Sequence, residues 1–198
     1  MLEILTRDVI ESELSGNEKL LWSGKPRQGI VFRSFDIFMV PFSLIWAGFA
    51  VFWEIMVLIQ IPGEAGTIGI FFAFWGVPFV LAGLYILFGR FIIDSKRRKH
   101  TFYGVSDERI ITVSGIFSRK VESVNLKTLS NLSLKEKTDK SGTISFGQGN
   151  PYPWWFNGYA LPGMYKTGQE FEMIEDARKV YEIIRKAQTS KYTADLTD

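Results

Sequence analysis

Two long apolar stretches constrain this chain more than any other feature. Residues Ile37–Ile61 read IFMVPFSLIWAGFAVFWEIMVLIQI and carry one charge, Glu54; residues Ile68–Ile93 read IGIFFAFWGVPFVLAGLYILFGRFII and carry one, Arg90, near the end. About 20 apolar residues at 1.5 Å each cross the ~30 Å hydrocarbon core of a bilayer, and both stretches exceed that length. A chain of 198 residues has little other material with which to bury two helices that are apolar all round. The stretches are therefore read as transmembrane helices, 37–61 and 68–93. Between them, residues 62–67 (PGEAGT) hold no Lys or Arg, and so short a turn requires an antiparallel hairpin. Lys19, Lys25, Arg27 and Arg33 precede the first helix, while Arg90, Lys96, Arg97, Arg98 and Lys99 close and follow the second. The positive-inside rule then puts both termini in the cytoplasm and the turn outside. No signal peptide is expected, because residues 1–33 are polar and the first helix serves as its own insertion signal.

The helix faces predict how the hairpin closes. Ser43, Ala47, Ala50 and Glu54 share one face of the first helix, and Gly69, Ala73, Gly76 and Gly83 share one face of the second. Small residues let helix backbones approach closely in lipid, so the two stripes are expected to face each other. Pro78 removes a helical hydrogen bond to Phe74 and is expected to bend the second helix. Glu54 is costly in such a setting. An intramembrane carboxylate is a candidate for ion or proton movement; the plainer reading is a carboxyl bonded inside the hairpin.

Composition removes most enzyme chemistry. There is no cysteine, which excludes disulfides, zinc ribbons, iron–sulfur centres and thiol nucleophiles, and the single His100 leaves little for a metal site or a Ser/His triad. Asp107/Glu108 and Glu175/Asp176 read as turn and helix-start acids rather than catalytic pairs. No cofactor is expected. The 23 basic and 21 acidic residues give a net charge of +2, too balanced for a nucleic-acid partner.

After the basic run the pattern turns to short strands. Thr101–Val105, Arg109–Ser114, Arg119–Leu126, Leu129–Lys137, Thr143–Phe146 and Glu170–Ile174 follow one another without helices between them, which predicts an antiparallel sheet. Glu175–Ala187 then places Ala177, Val180, Tyr181, Ile184 and Ala187 on one helical face, with acids in the first turn and Arg185 and Lys186 in the last. Residues 189–198 are expected to fray.

Three separated motifs are familiar in this order: Asn17–Pro26 (NEKLLWSGKP), Tyr103–Gly115 (YGVSDERIITVSG) and Phe171–Ile184 (FEMIEDARKVYEII). With the two apolar stretches between the first and second, the chain resembles bacterial pleckstrin-homology-like membrane proteins over nearly its whole length. The resemblance implies an α+β membrane protein: a two-helix transmembrane hairpin in the plasma (inner) membrane, and a cytoplasmic PH-like antiparallel β-barrel of about seven strands over residues 95–188, capped by a C-terminal helix. It further implies that residues 1–33 supply a strand to that barrel, making the hairpin an insertion. The family is largely uncharacterised, so the resemblance adds architecture more than activity.

Two further candidate sites come from the residues themselves. Lys96, Arg97, Arg98 and Lys99 form a polybasic run beside the membrane, where each charge near an anionic leaflet is worth about 1 kcal/mol. Residues 147–168 (GQGNPYPWWFNGYALPGMYKTG) are a long loop crowded with rings. Trp154, Trp155, Phe156 and Tyr159 are its candidate contacts with a partner or lipid, or else they close one end of the barrel. The expected function is a membrane-anchored, non-catalytic binding or scaffold module. Its expected partners are the bilayer and another membrane or membrane-proximal protein, with a second copy of the chain also a candidate. The alternative is a small transporter or channel subunit in which Glu54 works.

Overall fold

A computed structural model describes residues 2–32, 36–60, 66–116, 118–146 and 170–195. The chain divides into two compact units, one built from the residues up to Gly29 together with those from Ser95 onward, the other from Ile30–Asp94.

In the first unit, helix α1 (Leu2–Glu11) precedes strand β1 (Leu20–Gly24), and β2 (Phe102–Ser106), β3 (Arg109–Ser114) and β4 (Lys120–Asn125) follow later in the chain. All four strands are antiparallel neighbours in the order β1-β2-β3-β4. A 3₁₀ turn, Leu126–Thr128, leads to β5 (Leu132–Glu136), β6 (Gly142–Phe146) and β7 (Glu170–Ile174), which form a second antiparallel sheet in the order β5-β6-β7. Helix α5 (Ala177–Asp195) ends the unit.

Strand alternation explains the packing. In β2 and β3, Tyr103, Val105 and Ile110 point to a core shared with Ile144, Phe146, Phe171 and Ile174 of the second sheet. Ala177, Val180 and Ile184, spaced i, i+3 and i+7, bury one stripe of α5 in the same core. Phe171 is its aromatic hub, with ring centroids 4.5 Å from Tyr103, 5.1 Å from Phe146 and 5.6 Å from Trp22. The other face of the first sheet carries Ile111 and Val113, which bury against Ile10 of α1. Gly104 permits that contact, since a Cβ there would collide with the Ile10 side chain.

The strands do not close into the expected barrel. They form sheets of four and three, and among the described residues no ladder joins β4 to β5 or β7 to β1. The chain leaves β4 through the 3₁₀ turn, where the Asn125 side chain accepts from the Lys127 N–H at 2.9 Å. Between the segment after β1 and β7 the described residues share one backbone bond, from Arg27 N–H to the Met173 carbonyl at 2.9 Å. Met173 has φ of +46°, which bends β7 out of the extended geometry a ladder needs. Helix α5 also runs on to Asp195 where a frayed tail was expected.

The second unit consists of α2 (Asp36–Gln60), α3 (Gly66–Leu84), a π-helical turn at Tyr85–Gly89, and the start of α4 (Arg90–Lys99). Helix α3 continues through Pro78, and regular geometry is lost at Tyr85–Gly89 instead. Both helical stretches are long and apolar enough to cross a membrane, and only 17% and 11% of their most apolar windows are buried. The core helix of a soluble protein would be mostly covered.

Candidate functional site

The contact between α2 and α3 is built from small side chains. Ser43, Ala47 and Ala50 are buried on α2; Gly69, Gly76 and Gly83 are buried on α3, with Ala73 half-buried. A Cβ at Gly83 would lie 2.9 Å from the Ala47 Cα, so the two backbones meet too closely for any larger residue. Ser43 satisfies its hydroxyl within its own helix, donating to the Val40 carbonyl at 2.8 Å. The Glu54 carboxylate lies directly against Gly76, where a Cβ would run into its Oε2. That oxygen is buried and has no hydrogen-bond partner among the described residues.

The opposite end of this unit holds an ion pair that the sequence reasoning missed. Arg90 Nη1 lies 2.7 Å from Asp36 Oδ1, and the two side chains are 7% and 9% exposed. Asp36 also sits in the first turn of α2, where a negative charge suits the helix dipole. The available signal was position: both residues flank antiparallel apolar stretches at the same end.

The basic run is not one solvated patch. It forms the last turn of α4, and the turn buries its two middle residues while leaving the flanking two exposed. Lys96 and Lys99 are exposed, whereas Arg97 and Arg98 are 8% and 1% exposed. Arg97 pairs with Glu172 at 3.2 Å. Arg98 donates to the carbonyls of Arg27 at 2.7 Å and Gly29 at 2.6 Å, while Gln28 Nε2 donates back to the Arg98 carbonyl at 3.2 Å. Of the four residues expected at a membrane surface, Arg98 therefore holds the strap after β1 against α4, and Arg97 ties α4 to β7. Glu172 N–H also donates to the Tyr103 hydroxyl at 3.2 Å. Burial, reinforced by the Glu172 charge, pushes that phenol above its ordinary pKa and keeps it neutral.

A second latch joins two of the sequence motifs. Glu18 of the first accepts from Arg109 Nε at 3.0 Å and from the Ser106 hydroxyl at 2.6 Å in the second, while Lys19 N–H donates to Asp107 Oδ1 at 2.9 Å. Burial pushes the Glu18 carboxyl upward, but the hydrogen bonds from Arg109, Ser106 and the Ser15 N–H outweigh it and hold it below the ordinary value. These residues have the charge of a site and the contacts of a clasp.

Trp154, Trp155, Phe156 and Tyr159 lie outside the described residues. A polar cleft near Asp139, Ser141 and Glu175 combines acids with Arg27, which pairs with Asp139 at 3.2 Å. No group of three metal-ligating side chains occurs among the described residues.

No curated protein and no solved structure matches this sequence. A family model described as the bacterial PH domain matches residues 37–188, which include both long apolar helices and all the strands after them. With that match over most of its length, the chain belongs to the bacterial PH domain family.

Proposed function

We propose that the protein is a membrane-anchored, non-catalytic binding module that presents its PH-like unit at the cytoplasmic face of the inner membrane. PH-like domains are generally binding modules, which supports the non-catalytic part. The observation that carries the anchoring is the low burial of two helices of spanning length, whose Trp, Phe, Ile and Leu side chains point outward. Lipid is the surrounding that makes such a surface favourable. Lys96 and Lys99 supply cationic contacts to an anionic leaflet, and residues 154–159 supply rings suited to a protein partner or the bilayer interface.

The transporter reading is weaker. Between residues 37 and 60 and between 67 and 84, Glu54 is the sole ionisable side chain in the sequence, so no relay accompanies it.

The test is topological. A reporter active only outside the cytoplasm, fused after Asp198, should be silent, and the same reporter placed in the 62–67 turn should be active. Activity at the C-terminus would overturn the orientation. Recovery of the chain in the soluble fraction would overturn the anchoring.

A further inference from the structure

We draw no further inference here: the strongest candidate, the polar cleft of about 360 Å³ between the β5–β6 turn and the start of α5, lined by Arg27, Asp139, Ser141, Glu175 and Asp176, is an acidic cluster whose one cation already pairs with Asp139, and nothing in the structure shows what would fill it.

Discussion

Glu18 shows how much one buried carboxylate can organise. Its side chain is 1% exposed, and its partners Arg109 and Ser106 lie 91 and 88 residues away in the chain. Removing one partner of a buried ion pair leaves the other desolvated and costs about 3–5 kcal/mol when both are buried. Arg109 is 30% exposed, so Glu18→Gln should cost less, about 2 kcal/mol, measured by denaturant unfolding. The pH dependence has a definite sign. A carboxyl held below its ordinary value binds its proton more readily in the unfolded chain. Its stabilisation is complete above the unfolded-state value of about 4.3 and is lost as pH falls through the lower folded value. Glu18→Gln should therefore flatten the acid side of a plot of melting temperature against pH. An unchanged acid limb would show that other carboxylates govern it. Lys140 offers the opposite kind of change. It is exposed and held at φ +63°, a conformation that disfavours side chains with a Cβ. Lys140→Gly should stabilise the fold by about 0.5–1 kcal/mol, checked by the same unfolding curves. The buried Arg97 and Arg98 show where residue-level reading stops. A polybasic run looks the same in sequence whether it is solvated or not, and only the carbonyls of Arg27 and Gly29 and the carboxylate of Glu172 decide which of the four turn inward.

Elements were legible where a single period dominates. The two apolar helices, the strands of 109–114 and 170–174, and the helix after them were plain, because each buries a whole face or stripe. Helix α1 was missed. Its buried contacts, Thr6 and Ile10, are few, and its length is only ten residues. A signal existed in β3, where Ile110-Ile111-Thr112-Val113 is buried on both faces and so demands a cover on each side. Pro78 misled, because a missing hydrogen bond does not by itself say where a helix departs from regularity. The departure comes at Tyr85–Gly89, where Gly89 leaves room for the Tyr85 ring: a Cβ there would lie 2.8 Å from it. The α2–α3 contact is the most sensitive element interface. Gly83→Leu would place a branched side chain where Ala47 already touches backbone, and must push the helices apart. Cysteines placed at Ala50 and Val80, which the Ala47–Gly83 and Glu54–Gly76 contacts put level with one another, should crosslink to different extents in the Gly83→Leu and Gly83→Ala variants, with Leu much the lower. Equal crosslinking would mean that the helices do not depend on this contact.

At the scale of the whole molecule, the order of chain segments matters more than any site. The first unit is assembled from residues before Ile30 and after Asp94, and β1 pairs with β2 across that gap, Ser23 opposite Gly104. The sequence motifs pointed to this arrangement, but not to the two separate sheets, since closure depends on ladder geometry at β4 and β7 that carries no compositional mark. The unit has its own core, centred on Phe171, and a second cluster around Ile10. The ends that would have to be rejoined are close: the Gly29 carbonyl accepts from Arg98 at 2.6 Å, and Ser95 is three residues earlier on α4, about 4.5 Å along its axis. A linker of about four to six residues, at up to ~3.5 Å each, spans such a gap. Outside residues 30–92, the exposed large apolar side chains among the described residues are Ile4, Leu5, Leu21, Ile116 and Val121, scattered over helix, strand and turn. Replacing residues 30–94 with a short Gly/Ser linker should therefore give a protein that stays in solution, unfolds cooperatively in urea and keeps the near-ultraviolet signature of the Trp22–Phe171–Tyr103 cluster. Arg98→Met in that shortened chain would strip the Arg27 and Gly29 carbonyls of a shared donor, and should lower the urea midpoint further. Aggregation, or a broad non-cooperative transition in the unaltered linker variant, would mean that the first unit cannot hold its core without the helices that interrupt it.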